Sequence, residues 1–384
     1  MKKRILFIVT YLNTGGIIRS LQSFLNSFDT SQFDIDVFAM VHQGAFLGEL
    51  PNCTVLPRSR MIEASVGHLE NQHGWHKLEC LLIKLIKKVT RYRFQSWLFR
   101  RRGRILLKKN HYDAVVGFSE GVPTFMVSIM VHPNKIGWIH CDYSNYLKVG
   151  AKRSEYHIYN SLQAIVCVSD YTRESFLHHY PSLREKTQSI YNIIDCVMIR
   201  EKALEPILES FDKTTFNIVS VGRLDPVKRL SIIPELAKRI VDSGCKVRWY
   251  VIGPQGTRDE VSRFLQNLGK YETHGIVVFL GERTNPYPYI ARADLLVNTS
   301  ISEACPYVIN EAKILGTPVV CADFGSASEF IDNGSTGFIE PIDKMADRII
   351  KLARNKYLLE QIRTNLACFK YDNDLILKRI YSLF

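Results

Sequence analysis

Two carboxylates flank a proline directly after a predicted buried strand. Glu303 and Glu311 enclose the segment Ala-Cys-Pro-Tyr-Val-Ile-Asn, and the strand before them is Leu295–Asn298. Pro306 suits the start of a helix, because the backbone donor that proline lacks is unused in the first turn. The first amides of such a helix form an anion site, since they are unpaired and carry a partial positive charge. The segment therefore predicts a site for a phosphorylated ligand.

The two carboxylates extend this chemistry to hydroxyl groups. Each carboxylate accepts several hydrogen bonds, which suits the vicinal diols of a sugar and of a ribose. We expect Glu303 to face a sugar and Glu311, about two turns along the helix, to lie beside a ribose. In the alternative interpretation, Glu303 is a charge at the helix entry and Glu311 is a solvated helix residue.

Two cations follow another predicted strand, Phe216–Val221. Gly222 permits a tight turn there, and Arg223 and Lys228 come directly after it. Such cations neutralise a diphosphate and the charge that grows on it when it leaves. The alternative is a pair of surface cations after a turn.

Short apolar strands alternate with helices along the chain. In the first half the predicted strands are 4–10, 33–41, 54–56, 114–118, Lys135–Ile139 and 164–169. In the second half they are Phe216–Val221, 246–252, 276–280, Leu295–Asn298 and 318–321. The alternation predicts an α/β fold of two Rossmann-like, doubly wound domains with parallel sheets.

The domain boundaries follow from this rhythm. We predict an N-terminal domain over 1–195 with a basic helical insertion at about 75–110, a linker over 196–214 and a C-terminal domain over 215–370. We also predict a last helix over 371–384. One alternative for this helix is that it crosses back to the N-terminal domain. Ligands of doubly wound sheets bind at the carboxyl ends of the strands, so we expect the two domains to face each other across a cleft.

Composition narrows the class of protein. The 384 residues are enough for two domains, each with its own hydrophobic core. The net charge of +12 points to an anionic partner. Nine scattered cysteines fit a reducing, cytoplasmic compartment, because they form no disulfide framework. No apolar run approaches the length of a membrane-spanning helix. His68, Glu70, His73 and His76 match no zinc-ligand spacing, and we predict no metal site.

The second half resembles the nucleotide-sugar-binding domain of the family 4 retaining glycosyltransferases, which have the GT-B fold. The matching residues occur in the family's order and are Gly222-Arg223 with Lys228, Gly253, Gly281, Glu303, Glu311-Ala312, Gly316-Thr-Pro-Val-Val320, Glu329 and Asn333-Gly-Ser-Thr-Gly337. The chain departs from many relatives at Ala304 and Cys305, where they have glycine and an aromatic residue.

The first half matches more thinly. Gly15 and Gly16 with Arg19 resemble the family's glycine-rich loop after the first strand. His140, in Trp-Ile-His-Cys-Asp, resembles the family's histidine at a strand end, implied to contact the transferred sugar. Without the resemblance, a lone histidine at this position is more often a buried structural residue.

The resemblance implies a bacterial glycosyltransferase of envelope or capsular polysaccharide assembly that retains the anomeric configuration. Its donor is a nucleotide sugar, with uridine diphosphate preferred, and its acceptor is a lipid-linked glycan or a saccharide. Catalysis is expected from Glu303, Arg223, Lys228 and His140, and the resemblance extends donor binding to Gly222, Gly253, Glu311, Cys305, Pro306, Tyr307, Glu329, Gly15 and Gly16. Because no Asp-x-Asp or histidine cluster accompanies the site, we expect no metal and no cofactor.

The region 77–109 mixes many lysines and arginines with leucines and aromatics, opposed only by Glu79. This mixture is typical of helices in an anionic membrane interface, so we predict peripheral binding at the inner face of the cell membrane. The alternative is a helical pair that packs its apolar face on the N-terminal sheet and exposes solvated cations.

Three other classes of protein share some of these features. A nucleic-acid-binding protein shares the charge, but no recognised nucleic-acid motif accompanies it, and we predict no nucleic-acid partner. A dehydrogenase shares the fold, but Gly15-Gly16 lacks the spaced third glycine. A GT-B relative that hydrolyses or epimerises sugar nucleotides remains an alternative, since it would use the same donor residues.

Overall fold

The chain forms two compact units. This computed structural model describes residues 2–384 except 14, 45, 49, 68–73, 91, 150–153 and 210. The first unit is Met1–Ile194 with Asp372–Phe384, and the second is Asp195–Tyr371. The last helix is therefore grouped with the first unit, and the segment 196–214, for which the sequence predicts a linker, is grouped with the second.

The first unit is built on a seven-stranded parallel sheet with the order β3-β2-β1-β4-β5-β6-β7. Its strands are β1 (Lys3–Val9), β2 (Phe33–Ala39), β3 (Thr54–Val55), β4 (Ala114–Gly117), β5 (Lys135–Ile139), β6 (Ala164–Cys167) and β7 (Thr187–Ser189). The central strands are continuous apolar runs because helices cover both faces of the sheet.

Ten helices belong to the described part of this unit. They are α1 (Gly16–Ser27), α2 (Arg60–Val66), α3 (Gly74–Val89), α4 (Arg93–Lys109), α5 (Val122–Ser128), α6 (Tyr143–Val149), α7 (Tyr156–Asn160), α8 (Asp170–His179), the 3₁₀ turn Pro181–Lys186 and the final helix α17 (Asn373–Tyr381). One apolar core lies between α4, α5 and α8 and the sheet, and it includes Phe99, Met126 and Phe176.

The second unit is built on a six-stranded parallel sheet with the order β10-β9-β8-β11-β12-β13. Its strands are β8 (Phe216–Val221), β9 (Val247–Ile252), β10 (Val277–Gly281), β11 (Leu295–Asn298), β12 (Val319–Ala322) and β13 (Gly337–Glu340). Its helices are α9 (Cys196–Lys202), the 3₁₀ turn Leu230–Ile232, α10 (Ile233–Asp242), α11 (Arg258–Lys270), α12 (Tyr287–Arg292), α13 (Tyr307–Ile314), α14 (Ala327–Phe330), α15 (Met345–Arg354) and α16 (Lys356–Ala367).

Both sheets have a point at which the strand order reverses. In the first unit this point lies between β1 and β4, and in the second it lies between β8 and β11. Loops that leave two neighbouring strands in opposite directions open a crevice there, which is where doubly wound sheets bind ligands. The loops after β8 and β11 carry Arg223, Lys228 and Glu303, so the topology places these side chains at the reversal point of the second sheet.

The predicted alternation of strands and helices is confirmed. Every predicted strand is present, with ends that shift by at most about two residues, as helix and strand boundaries commonly do. Two strands were missed: β7 is a three-residue edge strand, and β13 begins at Gly337 directly after the turn that contains Asn333 and Gly334. The described ranges include no helix that is both long and apolar enough to span a bilayer.

Gly253, predicted as a donor-binding residue, has a packing reason for being glycine. Its φ angle is 147°, and an added Cβ would collide with the carbonyl oxygen of Gly222 in the turn after β8. Gly253 N donates to the Gly281 carbonyl at 2.9 Å, so three strand ends meet at this residue. The absent side chain therefore lets the loops after β8 and β9 pack closely.

We expect Gly253→Ala to destabilise the second unit by about 1 to 3 kcal/mol, the usual cost of overpacking. Gly244→Ala is the matched control, because Gly244 also has a positive φ angle, 86°, but no described atom lies within 4 Å of its added Cβ. Urea unfolding followed by hydrogen exchange of the β8 and β9 amides measures both variants. Equal losses in the two variants would refute the collision.

Candidate functional site

Glu303 is held through one of its two carboxylate oxygens. Lys228 Nζ donates to Glu303 Oε1 at 2.6 Å, Ser300 Oγ at 2.7 Å and Asn298 Nδ2 at 3.4 Å. In the part of the chain that the structure describes, Oε2 accepts no hydrogen bond. The side chain is 11% exposed. Glu303 is thus a fixed carboxylate with one oxygen left to accept bonds from a ligand.

The turn after β8 brings the two predicted cations together. Arg223 Nε donates to Asp225 Oδ2 at 2.9 Å, and Arg223 Nη2 forms an ion pair with the same oxygen at 2.8 Å. Lys228 N donates to Asp225 Oδ1 at 3.0 Å. Arg223 is 62% exposed and Lys228 is 30% exposed. One of the five guanidinium donors is used in the hydrogen bond to Asp225, and one of the three ammonium donors is used in the bond to Glu303, so both side chains keep donors for an anion.

Helix α13 follows Glu303, and its first amides lie at the same end of the sheet. The helix begins at Tyr307, one residue later than expected, and Pro306 is the extended residue before it. No side chain caps this end of the helix. Cys305, which is half-buried, lies between Glu303 and the helix.

Glu311 is not the solvated helix residue of the alternative interpretation. Its side chain is buried in the second unit, and Tyr287 Oη donates to its Oε1 at 3.4 Å. A buried carboxylate is retained where it has hydrogen-bond donors, because an unpaired one is costly. Its expected contact with a ribose stays a prediction.

The loop after β12 supports Glu303 from the other side. Ser326 Oγ donates to the Glu303 carbonyl at 2.8 Å, and Ser326 is fully buried. Glu329 lies on the short helix α14 just beyond and is half-buried. The loops after β8, β11 and β12 are therefore tied together around Glu303.

In the first unit, His140 lies directly after β5, as expected. Its ring packs edge-on against Phe118 at 4.9 Å, and its Nε2 is buried without a hydrogen-bond partner among the described residues. Burial lowers the pKa of His140 to about 3, so the ring is neutral at physiological pH. A neutral imidazole can bind a hydroxyl group without adding charge.

Glu120, which the sequence analysis missed, fixes the backbone at His140. Glu120 Oε2 accepts a bond from His140 N at 2.9 Å. Burial raises the pKa of Glu120, and the bond from His140 N opposes this rise because it favours the charged form. The residue follows β4, and a carboxylate directly after a buried strand was the available sequence signal.

Gly15 and Gly16 lie at the start of α1, after β1. The Gly15 carbonyl accepts from Arg19 N at 3.0 Å, and no side chain caps the helix. No described atom lies within 4 Å of a Cβ added to either glycine. These two residues and His140 belong to the first unit, whereas Glu303, Arg223 and Lys228 belong to the second.

Helix α3 exposes all four of its leucines. An apolar stripe runs along its outer face and consists of Leu78, Leu81, Leu82, Leu85 and Val89. Two lysines of the same helix point inward, because Lys84 Nζ donates to the Gly67 carbonyl at 2.6 Å and Lys87 Nζ to the Ser65 carbonyl at 3.1 Å. This orientation is the reverse of that in an ordinary surface helix.

Helix α4 has the opposite arrangement. It buries Leu98, Phe99 and Leu106 in the core of the first unit. Its cationic stripe faces outward and consists of Arg93, Arg100, Arg101, Arg104 and Lys108. Trp97 is exposed within this stripe, with the Arg101 guanidinium 6.0 Å from its ring centre. The alternative interpretation of the region 77–109 is a helical pair that packs its apolar face on the sheet and exposes its cations. This interpretation fits α4 but not α3.

The described residues contain no group of three or more His, Cys, Asp or Glu side chains that could hold a metal ion. His68, Glu70 and His73 lie outside the described residues, as does the side chain of His76. The expectation that the site works without a metal or cofactor therefore stays a prediction.

Two family models match the chain. One is described as Glycosyltransferase Family 4 and matches residues 14–197; the other is described as Glycosyl transferases group 1 and matches residues 215–355. Together they take in most of both units, so the chain belongs to this family of glycosyltransferases, and the resemblance seen in its sequence is confirmed.

Two of the curated relatives are bacterial transferases. Poly(ribitol-phosphate) alpha-N-acetylglucosaminyltransferase of Staphylococcus aureus is 25% identical over 264 residues, which are 65% of this chain and 50% of the relative. The N-acetylgalactosamine-N,N'-diacetylbacillosaminyl-diphospho-undecaprenol 4-alpha-N-acetylgalactosaminyltransferase of Campylobacter jejuni is 29% identical over 171 residues, which are 44% of each protein. The chain spans about half the length of these relatives.

Among solved structures, HepE of Anabaena in complex with UDP-glucose has a TM-score of 0.71 at 18% identity, over 99% of this chain and 98% of that one. Identity at this level shows the fold alone. The predicted fold class, two Rossmann-like domains of the GT-B type, is confirmed.

We expect His140 to make folding stability depend on pH. Below its unfolded pKa of about 6.5 the unfolded chain binds a proton that the folded chain, with a pKa of about 3, does not. Stability is therefore lost as the pH falls, by roughly 2 kcal/mol at pH 5.

Urea unfolding at pH 7.5 and pH 5 measures this loss in the wild type and in His140→Gln. The variant should lose about 2 kcal/mol less than the wild type over the same interval, because glutamine does not titrate. Identical losses in both proteins would show that the His140 ring is charged, or solvated, in the folded state.

Proposed function

We propose that the protein transfers a sugar from a nucleotide-sugar donor to a hydroxyl group of a saccharide or lipid-linked acceptor, in the assembly of a cell-surface polysaccharide. The observation that carries this proposal is the fixation of Glu303 through Oε1 at the reversal point of the second sheet, with Oε2 left open. A carboxylate held in this way accepts hydroxyl bonds at little cost in side-chain entropy.

The groups beside Glu303 suit a diphosphate. Arg223 and Lys228 keep unused N–H donors, and the uncapped start of α13 adds backbone amides. Cationic side chains and helix amides together supply the charge stabilisation that a divalent cation supplies in other transferases. We therefore propose that the donor binds without a metal ion.

The transfer is one substitution at the anomeric carbon. The bond between that carbon and the phosphate oxygen breaks, a bond to the acceptor oxygen forms, and the nucleoside diphosphate leaves with the electron pair. The acceptor proton passes to the departing phosphate, as the family resemblance implies for retaining enzymes. Lys228 and Arg223 stabilise the charge that grows on the leaving group.

The relatives support the classes of donor and acceptor. HepE was solved with UDP-glucose, which supports a uridine diphosphate sugar as donor. The names of the two bacterial relatives mention a poly(ribitol-phosphate) and a diphospho-undecaprenol-linked saccharide. Both names support a polysaccharide or lipid-linked acceptor for this chain.

We expect Glu303→Gln to weaken binding of UDP-glucose and UDP-N-acetylglucosamine while UDP affinity changes less than about threefold, because Glu303 meets the sugar and not the nucleotide. Isothermal titration measures all three ligands, with and without excess EDTA, and EDTA should leave the affinities unchanged. Glu360→Gln is the control, since Glu360 forms an exposed ion pair with Arg363 at 2.7 Å.

The same proteins are assayed for transfer, using a panel of undecaprenyl-diphosphate-linked and free oligosaccharide acceptors. We expect Glu303→Gln to lower the rate on the order of 10²-fold, as a misplaced sugar does. Full transfer activity in a folded Glu303→Gln variant would contradict the assignment. Turnover of the donor without any acceptor would instead favour the hydrolase or epimerase.

We also propose that α3 and α4 bind the protein to the inner, cytoplasmic face of an anionic membrane. The apolar stripe of α3 is suited to insertion between acyl chains, and the cationic stripe of α4 to contact with acidic headgroups. The positive charge of α4 favours an anionic lipid surface over a protein partner. Each lysine or arginine near such a surface contributes about 1 kcal/mol to binding. Docking of this kind would bring the N-terminal unit to a lipid-linked acceptor.

We expect the wild type to float with phosphatidylcholine vesicles that contain phosphatidylglycerol, and less so in high salt. Leu82→Glu with Leu85→Glu should lower this binding at least about tenfold, because each buried leucine contributes about 1.5 to 3 kcal/mol. Leu265→Glu is the control: Leu265 is 56% exposed and Leu82 is 59% exposed, but Leu265 lies on α11 of the second unit. Equal binding to vesicles of pure phosphatidylcholine would contradict the proposal.

A further inference from the structure

Asp225 is the centre of the turn that carries both cations. Its Oδ2 accepts a hydrogen bond from Arg223 Nε and forms an ion pair with Arg223 Nη2, and its Oδ1 accepts from Lys228 N. Its carbonyl accepts from Lys228 N at 3.1 Å and from Arg229 N at 3.2 Å, and its own N donates to the Arg223 carbonyl at 2.8 Å. Asp225 therefore sets the backbone path from Arg223 to Lys228 and the direction of the Arg223 side chain.

The segment 254–257 packs closely against the backbone of this turn. Leu224 N donates to the Pro254 carbonyl at 3.2 Å, and Thr257 N donates to the Leu224 carbonyl at 3.1 Å. A Cβ at Gly256 would collide with the Leu224 carbonyl oxygen and lie 3.1 Å from Arg223 Cγ. The base of the Arg223 side chain is thus packed, and Asp225 fixes its far end.

An exposed arginine loses rotamer freedom when it binds a ligand, and this loss weakens binding. Arg223 is mostly exposed, yet its guanidinium is already held by a hydrogen bond from Nε and an ion-pair contact from Nη2, both to Asp225 Oδ2. In the part of the chain that the structure describes, its Nη1 makes no hydrogen bond. The arginine is therefore ordered before a ligand arrives, with one edge of the guanidinium free.

We propose that Asp225 is a positioning residue that aims Arg223 and Lys228 at the diphosphate of the donor. The inference rests on the proposed function, because it assigns the two cations to a diphosphate. Asp225 does not contact the ligand itself. It acts by holding one cation through its side chain and the other through its backbone amide.

A simple charge argument predicts the opposite effect of removing Asp225. A carboxylate near a phosphate site repels the ligand, so its neutralisation alone would tighten binding. If Asp225 instead orders the cations, its neutralisation weakens binding although the site becomes more positive. The two explanations therefore predict opposite changes in ligand affinity when Asp225 is neutralised.

The test compares UDP with UMP in Asp225→Asn by isothermal titration. Asparagine keeps an oxygen for Lys228 N and so preserves the turn, but its amide group no longer accepts from Arg223. We expect UDP affinity to fall about tenfold and UMP affinity to change less than about threefold. The ratio of the two affinities is measured within one protein, so a partly folded preparation does not alter it.

Asp242→Asn is the matched control, since Asp242 forms an exposed ion pair with Lys238 at 2.6 Å on α10. Its UDP-to-UMP ratio should equal that of the wild type. Unchanged or tighter UDP binding in Asp225→Asn, or an equal loss for UDP and UMP, would overturn the positioning role. Failure of the wild type to bind UDP would instead overturn the proposed function, and the role of Asp225 with it.

Discussion

The ion pair between Lys228 Nζ and Glu303 Oε1, at 2.6 Å, joins the two loops at the reversal point of the second sheet. Further hydrogen bonds run between the same loops; among them, Thr299 Oγ1 donates to the Lys228 carbonyl and Ile301 N to the Val227 carbonyl, each at 2.8 Å. Removing one partner of a partly buried pair leaves the other without compensation, which costs more than the pair contributes. The two loops therefore hold one arrangement, and the neighbouring groups take their positions from it.

This pair also determines the charge that a ligand meets. Lys228 is paired with Glu303 and Arg223 with Asp225, so the four side chains together carry no net charge. Attraction for a phosphate then depends on the direction of the remaining N–H donors rather than on an excess of positive charge. Directed donors in a partly desolvated site interact strongly with an anion, because they need little reorganisation when it binds.

The fold was largely predictable from the sequence, but the contacts within the site were not. Continuous apolar strands between amphipathic helices leave few alternatives to a doubly wound sheet, and β8 and β11 matched their predicted ranges. The burial of Glu311 could not be predicted, because a carboxylate on a helix is ordinarily solvated. Asp225 and Ser300 were missed for a similar reason: both residue types are common in turns, and only the paired loops reveal what they bind.

Helices α3 and α4 show a further limit, because composition does not determine which face of a basic helix packs inward. The last carbonyls of α2 lack intrahelical donors, and Lys84 and Lys87 supply donors to Gly67 and Ser65. These lysines lie on the same face of α3 as Cys80 and Ile83, which are buried beside Ala64. Once that face packs on α2, the helix period places the apolar stripe on the outside. The exposed leucines thus follow from the hydrogen bonds that end α2, which the sequence pattern of α3 alone does not contain.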